Sequence, residues 1–284
     1  MRLRAIILGC GSSGGVPRPG GPNGEGLWGV CDPKNPKNYR TRCSILVQRA
    51  DETLGFETPN LTTVLIDTSP DLRTQLLAAK VGRLDAVFYT HDHADQSHGI
   101  DDLRIVAMNR GERIPVYLSR DLCPELVDRF AYCFTQAKDS PYEAILEEMP
   151  LPESQEVIID GPTGPIAVQP FLQEHGRINS YGFIFGGRGG LAYTSDANDL
   201  PQRSFDVVKN AHTWIVDCLR EAPHPSHAHL DLVLKWVKKT NMQRSVLTNM
   251  HYNLDYEAVK QKLPENIEPA FDNMIVGFEI SPKA

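Results

Sequence analysis

The segment Thr90-His91-Asp92-His93-Ala94-Asp95-Gln96-Ser97-His98-Gly99 follows directly on the apolar run Ala86-Val87-Phe88-Tyr89. In extended backbone, residues two apart point the same way, so His91, His93 and Asp95 can converge on one point beyond a strand end. With nine histidines and 36 acidic residues in the chain, an H-x-H-x-[DE] pattern is expected by chance only roughly 0.04 times. Coincidence is a poor account of it. Imidazole with carboxylate suits zinc, manganese or iron, and a fold that uses these residues must bring other elements to the same strand end.

Several residues can supply the rest of such a site. His175 follows the apolar stretch Val168 to Leu172, Asp196 follows Leu191 to Thr194, and His251 follows Val246 to Thr248. Ligands in α/β folds gather at strand ends of this kind. Taken singly each has a plainer reading: a histidine there is more often hydrogen-bonded than metal-bound, and Asp196 in Ser195-Asp196-Ala197-Asn198 suits an Asx turn. Asp67, ending Val64-Leu65-Ile66, reads as a carboxylate that orients a ligand histidine, with Ser69 as a helix cap the alternative use of that segment.

Short β-type runs recur along the chain: 3–8, 44–47, 63–67, 86–90, 115–118, 157–159, 181–185, 191–194, 214–217, 245–248 and 274–279. Helical patterns cover 71–81, 122–134, 231–239 and 256–263, the first introduced by Ser69-Pro70. Residues 17–39, dense in Gly, Pro and Asn, read as one long loop, and loops of that length are commonly functional. No repeat or linker interrupts the pattern, so one α/β domain spanning 1–284 is expected. Gly9-Cys10-Gly11-Ser12-Ser13-Gly14 spells a dinucleotide fingerprint after a strand. That fingerprint requires a helix to begin within it, and Pro17, Pro19, Gly20, Gly21 and Pro22 forbid one. A tight glycine turn is the better reading.

Asp and Glu outnumber Lys and Arg, 36 to 29, for a net charge of −7. This argues against a protein that grips extended nucleic acid through its phosphates. The six cysteines lack any C-x-x-C pair and read as reduced thiols. The apolar run after Arg4 is too short for a signal peptide, and none approaches a membrane span. A cytoplasmic protein without membrane attachment is expected, and a homodimer is compatible with this composition.

In their order, Asp67, the H-x-H-x-D loop, His175, Asp196 and a late histidine resemble the motifs of the metallo-β-lactamase fold, a four-layer αββα sandwich with a dinuclear metal centre. Residues 9–16, the segment from Cys31-Asp32-Pro33 to Arg40-Thr41-Arg42, Pro225-Ser226-His227-Ala228-His229-Leu230-Asp231 and Leu254-Asp255-Tyr256 resemble its phosphodiesterase branch. That branch includes phosphoribosyl 1,2-cyclic phosphate phosphodiesterase and, more distantly, transfer-RNA 3′-processing endonuclease. The resemblance implies that His91, His93 and His175 hold a first metal ion, that Asp95 serves a second, and that Asp196 bridges both. This chain departs from the pattern at Gln96 and Asn249, where histidines of the second site are expected. His98 and His251, each two positions further on, are candidates to replace them. The clustered cysteines of a structural zinc site are missing around Cys31, and Tyr252 stands where its histidine would, so no structural zinc is expected.

The cofactors implied are two divalent ions, zinc or manganese. Two cations about 3.5–4 Å apart can lower the pKa of a bridging water toward ~7 and hold a phosphoryl oxygen. A histidine near neutrality can protonate the leaving oxygen, and His227 and His229 are both candidates. Arg40, Arg42, Arg104 and Arg177 lie in or beside the motifs and could fork onto phosphate, while Tyr181 and Ser180 could meet a sugar or base. The expected activity is that of a phosphodiesterase on a small cyclic phosphate or nucleotide-like ester. The alternatives are a metallo-hydrolase of another ester, thioester or lactam, and a non-catalytic nucleotide or metabolite binder with an emptied second metal site.

Overall fold

A computed structural model describes residues 1–280, and positions 281–284 of the expected domain lie outside the described residues. The strands are β1 (Arg2–Gly9), β2 (Ser44–Arg49), β3 (Thr62–Ile66), β4 (Ala86–Phe88), β5 (Ile114–Leu118), β6 (Leu146–Pro150), β7 (Val157–Ile159), β8 (Ile166–His175), β9 (Ile178–Phe185), β10 (Leu191–Thr194), β11 (Thr213–Asp217), β12 (Arg244–Thr248), β13 (Ile267–Pro269) and β14 (Met274–Glu279). They form two seven-stranded sheets, ordered β14-β1-β2-β3-β4-β5-β6 and β13-β12-β11-β10-β9-β8-β7. In the first sheet β3 to β6 run parallel, and in the second β10 to β13 do so. The helices are α1 (Leu72–Ala79), α2 (Ala94–Ser97), α3 (Leu103–Arg110), α4 (Leu126–Arg129), α5 (Ala131–Phe134), α6 (Gln202–Val208), α7 (Leu230–Thr240) and α8 (Tyr256–Lys260). This is the αββα sandwich.

Alternation along the strands explains the layers. In β1, Leu3, Ala5 and Ile7 join the core shared by both sheets, whereas Ile6 and Leu8 join Leu72, Leu76, Leu103 and Val106 beneath α1 and α3. Both faces of such a strand are covered, so it reads as a continuous apolar run. Phe88 crosses between the sheets to meet Phe183 edge-on at 5.5 Å. On the far side, Trp214 stacks on Trp236 of α7 at 6.1 Å and donates from its indole nitrogen to Thr194 Oγ1 at 2.9 Å. No helix among the described residues is long and apolar enough to cross a membrane.

Three local expectations are corrected. The helix expected over 122–134 is broken into α4 and α5 at Phe130, whose φ of −116° and ψ of 35° leave the helical region. The edge strands β6 and β13 carry too few apolar residues, or too short a run, to stand out by pattern, yet each completes a parallel ladder. Ser69 does not cap α1 from the N-cap position. That position belongs to Asp71, and Ser69 Oγ accepts from the Asp71 N–H at 3.1 Å and donates to Gln75 Oε1 at 2.8 Å.

The early glycines follow from close approach of backbone. Gly11 N–H donates to Thr41 O at 2.8 Å, and Gly11 bridges both Arg42 and Met250. A Cβ on Gly9 would collide with the Arg42 carbonyl oxygen. Thus the turn joins three loops and opens no helix, as the proline run requires. Gly9→Ala is expected to cost about 1–3 kcal/mol, as overpacking does, in urea unfolding monitored by tryptophan fluorescence. A variant as stable as the parent would contradict this packing.

Candidate metal centre

The parallel strands of both sheets point their C-terminal ends at one edge, and the chain turns sharply there. Asp67 after β3, Asp196 after β10 and Asn249 after β12 have φ of 61°, 53° and 60°. Asp and Asn are the side-chain-bearing residues that tolerate this left-handed region best. Each turn leaves a polar side chain, all three buried, at the end of its strand.

Asp67 accepts hydrogen bonds from Thr90 N–H and from Thr90 Oγ1, both at 2.9 Å. Thr90 Oγ1 also lies 2.9 Å from His91 Nδ1. Burial pushes the Asp67 carboxyl well above its usual range, and the two Thr90 bonds work against that. A nearby cation favours the ionised form. The hydroxyl hydrogen then goes to the carboxylate, so His91 Nδ1 must carry a proton and donate. Its other ring nitrogen, Nε2, keeps a free lone pair and is buried with no partner among the described residues. Burial first, then the neighbouring His93, His175 and His227 rings, hold His91 well below the usual imidazole pKa, in the neutral form that binds metal.

His175 is fixed in the same way: its Nδ1 donates to Ser226 O at 2.6 Å, which leaves Nε2 free. The rings of His91, His93 and His175 stand 4.4 to 5.2 Å apart between centroids. Their ligand atoms lie within 4.8 Å of one another. Three clustered imidazoles, one with an orphaned buried nitrogen, fit a divalent transition metal.

Beside them stands a second group, His175, Asp196 and His227, also within 4.8 Å. Asp196 Oδ1 lies 3.9 Å from both His175 Nε2 and His227 Nδ1. Its Oδ2 accepts from the Gln96 amide Nε2 at 3.0 Å. His227 Nδ1 donates to Asp217 Oδ2 at 2.9 Å, and Asn249 Nδ2 lies 3.4 Å from that same nitrogen. Burial works against a charged His227, but Asp217, with Asp196 and Asp95 beyond it, lifts its pKa to about 9. Asp95 is pushed up by burial and then by Asp196.

Other expected residues lie elsewhere. His98 is exposed, with its ring 5.6 Å from Phe130. His251 packs on Tyr252 at 4.2 Å and takes no part in either group. His229 is the N-cap residue of α7, so of the two candidate acids only His227 joins the centre. Arg40 is fully buried and ties the early loop to Leu254 O at 2.7 Å, to Asn38 and to His251 O. Arg42 pairs with Asp71 at 3.0 Å and Arg104 with Asp101 at 3.0 Å. Arg177 is exposed in the turn between β8 and β9. Tyr181 lines a 440 Å³ cavity with Ser119, Asp121, Asn179 and Arg203 that contains none of the histidines, and Ser180 Oγ donates to Asp196 O at 2.8 Å.

Sequence reasoning passed over Asp217, although it ends its strand as Asp67 does. It also passed over Arg18, Arg220 and His224, which no motif marks. Arg18 stacks on Tyr252 with its guanidinium carbon 4.6 Å from the ring centroid, and its buried Nε has no partner. Arg220 curls back onto the carbonyls of Ala222 and Pro223. Neither arginine has an ion-pair partner among the described residues. His224 links this cationic strip to the centre, its ring 5.1 Å from that of His227.

Two facing mixed sheets with a histidine and carboxylate cluster at one edge define a metal-binding hydrolase of the metallo-β-lactamase fold. Residues 62–252 match the family described as "Beta-lactamase superfamily domain", and the chain belongs to that family. A solved structure described as a new diphosphatase from the PhnP family is 28% identical, with 98% of each chain covered and a TM-score of 0.80. Zinc-bound PqqB from Methylobacterium extorquens, 14% identical over 96% of this chain and 99% of that one, has a TM-score of 0.69. The short form of human tRNase Z, 16% identical over 98% and 100%, has a TM-score of 0.62; both share the fold. A Porphyromonas gingivalis protein named "Octanoyltransferase" is 29% identical over 276 residues, covering 96% of this chain but 51% of that protein. The chain therefore spans about half the length of that relative.

Two outcomes test this geometry. Thr90→Val removes the hydroxyl that orients His91 and is expected to weaken metal affinity about 10–100-fold, read by competition with a chromogenic chelator. Burial first, then Arg18, Arg220 and His224, hold His251 down at about 4. A histidine lowered on folding adds stability above its unfolded pKa and loses it as pH falls toward 4. In Arg18→Ala the His251 pKa is expected to rise toward 6.5, followed by its imidazole proton resonance in NMR titration; an unmoved resonance would contradict the cationic strip.

Proposed function

We propose that the protein is a metal-dependent phosphodiesterase acting on a small cyclic phosphate or nucleotide-like ester, including esters of diphosphate. The observation that carries this reading is the pair Arg18 and Arg220, without ion-pair partners among the described residues, near His251 and joined to the histidine cluster through His224 and His227. Guanidinium groups without carboxylate partners suit an anionic substrate. The similarity to a protein described as a diphosphatase supports the same reaction class.

His91, His93 and His175 would hold the metal ion. When bound there, a divalent ion lowers the pKa of coordinated water and polarises a phosphoryl oxygen. Asp196, 3.9 Å from His175 Nε2, would accept a proton from the attacking water. His227 is held by Asp217 through Nδ1, which leaves Nε2 to deliver a proton to the departing oxygen. Arg18 and Arg220 would hold the part of the substrate that does not react.

A second reading, hydrolysis of an acyl ester or thioester, is favoured by the similarity to the protein named "Octanoyltransferase". Turnover of bis-p-nitrophenyl phosphate, a nucleoside diphosphate ester, an octanoyl thioester and a β-lactam by zinc- or manganese-loaded protein separates the readings. The phosphate esters are expected to be cleaved fastest, and a faster thioester would reverse the order of the two. His227→Ala is expected to slow a poor leaving group far more than nitrophenolate, and equal losses would remove it as the acid. Arg18→Ala and Arg220→Ala should each raise KM about tenfold for a substrate carrying a second phosphate, the scale of one charge-assisted hydrogen bond.

A further inference from the structure

We infer that this centre holds one metal ion, and that the amides of Gln96 and Asn249, with the His227 ring, occupy the place where a second would sit. The inference rests on the reading of His91, His93 and His175 as metal ligands, and it goes beyond that reading by assigning the stoichiometry.

A second ion would need the outer oxygen of Asp196, since Oδ1 faces His175 and His227. That oxygen, Oδ2, already accepts the Gln96 amide N–H at 3.0 Å. Gln96 is fully buried, and its Oε1 has no partner. Turning the amide over to offer Oε1 to a cation would give up the hydrogen bond to Asp196, and a neutral amide oxygen suits a transition metal less well than imidazole does. Asn249 is buried at a strand end in the left-handed region and turns its Nδ2 toward His227 Nδ1 at 3.4 Å, although that nitrogen already donates to Asp217. An amide nitrogen binds no metal.

The two histidines that could compensate are turned away. His98 lies against Phe130. His251 stacks on Tyr252, and its Nδ1 accepts from the Asn253 N–H at 3.3 Å. Of the imidazoles beside Asp196, His175 serves the first site and His227 is held through Nδ1 by Asp217, so the donors left for a second ion are Asp95 and one oxygen of Asp196. A catalytic ion is held by three protein ligands, and these two carboxylates supply only two. The first site keeps its orientation, because His91 is held by Thr90 and His175 by Ser226, and neither bond involves Gln96 or Asn249.

The test is metal content and spin coupling in the full protein. Manganese-loaded, dialysed protein is expected to contain one ion per chain by mass spectrometry and to give the electron paramagnetic resonance spectrum of an isolated ion. The double variant Gln96→His, Asn249→His is expected to take up a second equivalent and to show an exchange-coupled spectrum. Two ions in the unaltered protein, the second lost in His251→Ala or His98→Ala, would overturn the inference and leave the three-histidine site standing. No bound ion would overturn both. Should the double variant fail to fold, the stoichiometry and spectrum of the unaltered protein decide the matter alone.

Discussion

The buried carboxylate of Asp67, accepting two hydrogen bonds from Thr90, is the interaction on which the centre depends. It joins β3 to β4 at their C-terminal ends, fixes which nitrogen of His91 carries the proton, and so aims a lone pair into the cluster. The charge is expensive to bury alone. A cation bound nearby offsets that cost, so the groups that build the site also make metal binding favourable. Asp217 repeats the device in the second sheet, holding His227 from one oxygen that also accepts the Ala197 N–H at 3.0 Å.

Both halves of the sandwich reach this edge by the same route. Each sheet runs antiparallel at one end and parallel at the other, and the parallel strands deliver their last residues together. Left-handed turns at Asp67, Asp196 and Asn249 then place polar side chains where apolar strands stop. The early loop closes over this edge. Asp32 N–H donates to Asp255 Oδ2 at 3.1 Å and Val30 N–H to Tyr252 O at 3.0 Å, which brings Arg18 to the late segment and gives the cationic strip its position.

Much of this was legible in the residues. Strands buried on both faces announce themselves as apolar runs, and His91, His93, His175 and Asp196 follow such runs directly. The edge strands β6 and β13 did not stand out because an edge needs little apolar surface. The arginines were misjudged for a different reason: closeness to a motif in sequence says nothing about charge balance. Arg40, Arg42 and Arg104 are spent on Leu254, Asp71 and Asp101, while Arg18 and Arg220, unmarked by any motif, stand near His251 without carboxylate partners among the described residues. The choice between His227 and His229 needed the turn before α7, which puts one ring on Asp217 and the other at a helix start.

X-ray absorption fine structure at the metal edge of the loaded protein tests the central claim most directly. A first shell of imidazole nitrogens completed by oxygen, with no metal scatterer at about 3.5–4 Å, is the expected result. A metal–metal vector at that distance, or a first shell made mainly of carboxylate oxygen, would contradict it.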